Sequence, residues 1–227
     1  MTLGGFGVVA LLACTGGSTP PPPPPPVITS FGAAKTTITA GTSTTLTAVY
    51  SNGTGMVDKG VGAIASNTPL AVTPTADTTY TLTVTNTAGA FVTSATTVLV
   101  VPPPTTPTIM APALVTSGQG GYAASVPSQG TGSTYAWTLT NGTITAGSGS
   151  HAITFTAGAS GQVGLKCIVT NAAGQASAEG STTAEIVAAP VLPVITVPAM
   201  LTSGASYTAS VPAQANSTYA WTVTGGT

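Results

Sequence analysis

Charged side chains are almost missing from this chain. Of its 227 residues, three are Lys or Arg and four are Asp or Glu. They stand at Lys35, Asp58, Lys59, Asp77, Lys166, Glu179 and Glu185. A nucleic-acid surface needs clustered Lys and Arg to displace counterions from phosphates, and binding to an anionic membrane surface needs a basic helix; the sequence supplies neither. A net charge of −1 steers nothing over long range. The same scarcity restricts chemistry. His151 is the single histidine, in Gly147-Ser-Gly-Ser-His151, with no Cys, His or carboxylate close in sequence. It reads as a solvated loop residue, and no metal site is expected. Asp58, Asp77, Glu179 and Glu185 are too scattered to offer calcium a cluster of charged oxygens. A Ser-His-Asp triad would have to recruit that one histidine, and no Gly-x-Ser-x-Gly elbow leads into a helix. The chain is therefore expected to be no enzyme, with no catalytic residue and no cofactor.

Cysteine is equally scarce, at Cys14 and Cys167. Cys14 follows an apolar run, Leu3 to Ala13, far shorter than the roughly 20 residues that span a bilayer. The run reads as the core of a secretion signal. Leu11-Leu12-Ala13-Cys14 resembles the lipobox of bacterial lipoproteins, which implies cleavage before Cys14 and lipid attachment to it. Two acyl chains anchor stably where one does not. By the same resemblance, Thr15 in place of an aspartate favours the outer membrane. The alternative is an ordinary signal peptide with an incidental cysteine. No Lys or Arg precedes the apolar run, a departure that a start upstream of Met1 would explain.

What the chain does have is 42% hydrophobic residues alternating with Thr and Ser. Thr and Val are stiff at χ1 and fit a pleated surface, and outward Thr solvates a sheet without charge. Thr44 to Tyr50 places Leu46, Ala48 and Tyr50 on one face; Tyr80 to Val84 places Tyr80, Leu82 and Val84 on one face. No window shows helical periodicity. Proline punctuates the pattern. Pro20 to Pro26 is a polyproline II spacer of roughly 20 Å, within residues 15–26. Pro102-Pro-Pro-Thr-Thr-Pro107 and residues 188–193 form two further linkers. Strands separated by Gly, Asn and Pro then fall into a first domain at 27–101 and a second at 108–187. Strands of the second are expected near 121–126, 134–140, 152–156, 163–170 and 176–186.

A third copy follows. Ala113-Leu-Val-Thr-Ser-Gly118, Tyr122-Ala-Ala-Ser-Val-Pro127 and Ser133-Thr-Tyr-Ala-Trp-Thr138 recur as Ala199-Met-Leu-Thr-Ser-Gly204, Tyr207-Thr-Ala-Ser-Val-Pro212 and Ser217-Thr-Tyr-Ala-Trp-Thr222. Gly118 and Gly204 are 86 residues apart, and Trp137 and Trp221 are 84 apart, so the unit is a small domain with short indels. Asn86-Thr-Ala-Gly89 and Asn171-Ala-Ala-Gly174 are 85 apart and link the first domain to the second. The copy at 194–227 is expected to be incomplete, and therefore disordered or paired with a neighbouring chain.

Taken together, these residues resemble bacterial immunoglobulin-like domains, including the PKD-like variety found as tandem arrays in exported proteins. The resemblance implies an all-β fold of tandem antiparallel immunoglobulin-like β-sandwiches joined by Pro-rich linkers. It places Tyr135-Ala-Trp137 on strand C and Cys167 at the strand F position of disulfide-bonded members. The strand B partner would lie near Ala124, so apolar packing and not a disulfide is expected to hold the fold. In the first domain Leu82 takes the position of Cys167, with Tyr80 at the tyrosine-corner spacing. Trp137 and Trp221 could stack on sugar rings, but each lies two residues after a tyrosine on an alternating strand, and core packing is the stronger reading. This sandwich hosts many roles. The expected function is a surface-anchored, non-catalytic stalk or interaction array, attached to the membrane through its lipid and facing a cell-surface protein or glycan, with no nucleic-acid partner. An adhesin or carbohydrate-binding module, and the spacer of an exported enzyme whose catalytic domain lies beyond Thr227, are the two rivals.

Overall fold

The computed structural model describes residues 20–225, and among them there is no helix. They divide into two compact units: 20–34 with Thr44–Val72 and Thr79–Thr97, and Lys35–Ser43 with Thr73–Thr78 and 98–225.

Eight strands occupy the first hundred residues. They are β1 (Val27–Ala33), β2 (Thr37–Thr39), β3 (Thr44–Ser51), β4 (Thr54–Val57), β5 (Gly62–Ile64), β6 (Leu70–Val72), β7 (Thr78–Thr85) and β8 (Phe91–Val101). They form two sheets, ordered β1-β3-β6 and β2-β8-β7-β4-β5. Alternation drives both. Leu46 and Ala48 of β3, and Tyr80, Leu82 and Val84 of β7, are all buried, while the threonines between them face outward or stay half-covered. Each strand thus removes one apolar face from water at a gain of about 25 cal/mol per Å².

The second group is β9 (Leu114–Thr116), β10 (Tyr122–Ser125), β11 (Thr134–Thr140), β12 (Gly142–Ala146), β13 (Ala152–Ala157), β14 (Gly161–Thr170) and β15 (Gly180–Val187). A three-stranded sheet, β10-β13-β12, and a four-stranded sheet, β11-β14-β15-β9, enclose one core. β11 pairs antiparallel with β14, which sets Tyr135 opposite Val169, Trp137 opposite Cys167 and Leu139 opposite Leu165. Phe155, Val163, Leu165 and Val169 are fully buried at the centre. The fold is all-β, a pair of sandwiches built from mainly antiparallel sheets, with a Pro-rich segment leading into each.

Three local features depart from the pattern reading. The last strand, expected from Ala176, starts at Gly180; before it only an isolated bridge joins Thr170 to Ala176. A Cβ on Gly180 would collide with the Pro107 carbonyl, so glycine at the first residue of the strand lets the incoming linker lie against it. β12 lies outside the expected strands because Asn141, at φ 54°, turns the chain from one sheet to the other after β11. Its side-chain amide fastens that corner to the carbonyls of Ser160 and Gln162 at 2.6 and 3.0 Å. Finally, Pro20–Pro26 is not wholly a free spacer: Pro26 is buried.

Candidate functional site

Cys14 lies outside the described residues. Trp137 is 9% exposed, and its indole N–H donates to the Ser150 carbonyl at 2.9 Å. Trp221 is 49% exposed. His151 is exposed, its ring centroid 6.2 Å from that of Tyr135 in a T-shaped arrangement. Among the described residues, no three His, Cys, Asp or Glu side chains come together as metal ligands would. Asp58, Asp77 and Glu179 have structural partners instead. Asp58 accepts the Thr81 amide at 2.8 Å, and Asp77 accepts the Val100 amide at 2.7 Å. Glu179 pairs with Lys166 at 2.7 Å on an open surface. Burial, and then the Asp58 charge, push the Tyr80 hydroxyl above its ordinary value. Cys167 is a buried free thiol, which burial pushes up to about 11 from 9.0.

Side chains do converge where the Pro-rich segments enter the sandwiches. Asn86 follows β7, and its Oδ1 accepts the amides of Ala88 and Ala90 at 3.1 and 3.0 Å, closing the turn. Its Nδ2 then donates to the Pro24 carbonyl at 3.0 Å. Asn52, at φ 60°, donates to the adjacent Pro25 carbonyl at 3.0 Å. Asn171, after β14, repeats the arrangement: Oδ1 accepts from Ala173 and Gln175 at 3.1 and 2.9 Å, and Nδ2 donates to the Pro102 carbonyl at 3.0 Å. The same Nδ2 reaches the Thr39 hydroxyl at 2.9 Å. Both asparagines are buried, Asn86 at 9% and Asn171 at 6% exposure.

A second clamp holds the linker downstream. Gln129 donates from Nε2 to the Thr105 carbonyl and accepts the Thr105 amide, both at 2.8 Å, which is the pairing of a two-residue β-ladder made by a side chain. Tyr135 fixes this glutamine by accepting its backbone N–H at 3.0 Å. Proline has no N–H to offer, so its carbonyls are the only backbone groups by which such a segment can be held. Neutral amide side chains suit that task where charge is absent. The arrangement has no nucleophile, base or oxyanion donor set; what it can do is fix a linker. Sequence reasoning identified the Asn-x-Ala-Gly turns but not the second bond each asparagine makes. The signal present was the spacing of 85 residues between Asn86 and Asn171.

Residues 102–184 match the family model of the PKD-like domain. No curated protein matches the sequence. Among solved structures, the chain is similar to an I-band fragment of titin at 16% identity, covering 75% of this chain and 67% of that one, with a TM-score of 0.49. It is similar to a C-terminal fragment of intimin, solved with the intimin-binding domain of the translocated intimin receptor, at 16% identity over 75% and 66% of the two chains (TM-score 0.44). The fibronectin(III)-like modules of Clostridium thermocellum CbhA share 18% identity over 72% of this chain and 94% of theirs (TM-score 0.39).

Proposed function

We propose that this chain is a non-catalytic, exported stalk or interaction array of immunoglobulin-like domains, lipid-anchored at Cys14, which holds a partner or a further domain away from the membrane. Its domains are 27–101, 108–187 and a third copy from 194, with residues 15–26, 102–107 and 188–193 as linkers. The observation that carries the reading is the pair of asparagine clamps, Asn86 on Pro24 and Asn171 on Pro102. Each sandwich takes hold of the linker that enters it, so length is built from folded, hydrogen-bonded pieces and little of it from free coil. A surface of Thr and Ser with few charges keeps such a stalk soluble without recruiting polyelectrolytes.

The test separates spacing from recognition. An epitope tag is fused after Thr227 and the protein is expressed in a bacterium with a functional upstream start. Antibody should reach the tag on intact cells, and deletion of residues 108–187 should lower that labelling several-fold. Replacing the segment with an unrelated sandwich of equal length should restore it. Failure of the replacement to restore it would refute the stalk reading, because spacing is indifferent to sequence. In the same cells Cys14→Ala should abolish palmitate incorporation and membrane partition; if both persist, the anchor is wrong.

A further inference from the structure

The second compact unit takes in more than the β9–β15 sandwich. It includes Lys35–Ser43, Thr73–Thr78 and the end of β8 from Val98, all of which lie before that sandwich in sequence. Within this piece β2 runs parallel to the end of β8. The Ala40 amide donates to the Val101 carbonyl and the Leu99 amide to the Thr36 carbonyl, both at 2.8 Å. Asp77, from the same unit, accepts the Val100 amide at 2.7 Å. Ile38 is 2% exposed and Val98 is fully buried, so the seam has apolar side chains of its own to keep from water.

One side chain ties this seam to the sandwich that follows. Asn171, in the turn after β14, donates from Nδ2 to the Thr39 hydroxyl at 2.9 Å and to the Pro102 carbonyl at 3.0 Å. Thr39 is the last residue of β2, and Pro102 is the first residue after β8. A single amide therefore holds both strands of the seam at the same end. Thr39 and Asn171 are both buried, so neither group can turn to water when the other withdraws. A cleft of about 370 Å³, lined by Lys35, Thr37, Ser43 and Gln175 among others, opens beside the bond, which leaves the approach of the turn to β2 narrow. Asn86 closes the corresponding turn of the first sandwich with its linker bond to Pro24 and no bond of the Thr39 kind among the described residues.

We infer that β2 and the end of β8 form a latch that stays shut only while the β9–β15 sandwich is folded, although in sequence they belong to the sandwich before it. The cooperative unit thus crosses the domain boundary. When β14 melts, the turn that carries Asn171 goes with it, and Thr39 and Pro102 lose their shared donor together. The three-residue ladder then opens as part of the same event. The β1-β3-β6 sheet and Thr79–Thr85 of β7 lie in the other unit and stay closed. The coupling needs no long pathway, because one element with two states is biased from both sides.

Native-state hydrogen exchange of the full-length protein tests this. The reporters are the Ala40 and Leu99 amides, and the references are the amides of Leu165 in β14 and of Leu46 and Leu82 in the first sandwich, all three fully buried. Phe155→Ala removes a ring from the core of the β9–β15 sandwich alone. It should speed exchange at Ala40 and Leu99 by roughly a hundredfold, in step with Leu165, and leave Leu46 and Leu82 unchanged. Ile153→Val, a milder loss in the same core, should give the same pattern at roughly fivefold and keeps the test open if Phe155→Ala does not fold. Thr39→Val removes the acceptor at nearly constant volume; it should speed Ala40 and Leu99 by roughly tenfold with Leu165 unchanged. With the latch already broken, adding Phe155→Ala should accelerate the seam no further. Three results would overturn this: a seam that neither core variant moves, Leu46 and Leu82 accelerating as much as the seam, or effects of Thr39→Val and Phe155→Ala that multiply as independent sites do.

Discussion

Replacing Asn171 by alanine tests the linker clamp directly. The side chain is 6% exposed and makes four hydrogen bonds: to Thr39 Oγ1 at 2.9 Å, to the Pro102 carbonyl at 3.0 Å, and from the amides of Ala173 and Gln175 at 3.1 and 2.9 Å. A typical intramolecular hydrogen bond contributes about 1 kcal/mol net, and more is lost where the partner stays buried. Water can reach some of the freed partners, so the expected loss is about 3 kcal/mol, a large part of the roughly 5–15 kcal/mol that a domain has in total. In a domain of this size that lowers Tm by roughly 12–24 °C. Urea unfolding followed by tryptophan emission in a Trp221→Phe background, which leaves Trp137 as the reporter, gives the free energy, and calorimetry gives the Tm. Asn86→Ala is the internal comparison. Asn86 makes three such bonds, lacking an equivalent of the one to Thr39, so its loss should be smaller by about 1 kcal/mol. Asn171→Asp adds a pH signature. The aspartate keeps the acceptor but loses the donor, and burial raises its folded-state pKa above the unfolded value. The variant should be least stable at neutral pH and should recover as pH falls through the raised folded-state value, with recovery complete only below the unfolded value of about 3.9. An Asn171→Ala protein within about 0.5 kcal/mol of wild type, the range of an ordinary surface substitution, would refute the clamp.

Two further outcomes follow from the core. Phe155 is fully buried, its ring 5.7 Å from that of Tyr122, so Phe155→Ala should cost about 3–5 kcal/mol, seen as an early calorimetric transition; a loss under about 1 kcal/mol would place the ring outside the core. The Cys167 thiol, raised by burial from 9.0 to about 11, should react with maleimide only in denaturant. Its stabilising contribution is complete below pH 9 and is lost as pH rises through about 11, so wild type should lose more stability across that window than Cys167→Ala does.

Much of the fold was legible because the buried strands announce themselves by period two. Tyr80, Leu82 and Val84 alternate with threonine, and β11 falls at the residues expected, because Tyr135 and Trp137 stand out against small neighbours. Less legible were the strands whose existence depends on pairing and not on pattern. β2 and β9 have three residues each, too few to show a period, and they form because β8 and β15 offer a free edge. β12 was obscured by Asn141-Gly142, which reads as a turn and serves as a corner between sheets. The clamps were half legible. A turn built on Asn-x-Ala-Gly is a local matter, whereas the bond from Asn171 to Pro102 joins residues 69 positions apart, and no periodicity encodes it. For the same reason the reading of Pro20 to Pro26 as a stiff spacer did not include the bonds by which Asn86 and Asn52 hold its Pro24 and Pro25 carbonyls.

The two parallel pairings give the fold a direction. β9, near the entry of its sandwich, runs parallel to β15 at the exit, with Leu114, Val115 and Thr116 beside Glu185, Ile186 and Val187. β2 stands in the same relation to the end of β8, with Thr37, Ile38 and Thr39 beside Leu99, Val100 and Val101. Tension applied along the polypeptide pulls the start of one strand and the end of its neighbour in opposite senses along a shared axis. The ladder between them is then loaded sideways, all rungs at once, whereas antiparallel neighbours pulled from the same end would open one rung at a time. Loaded in this way, the three-residue seam of each sandwich resists as a set and not rung by rung.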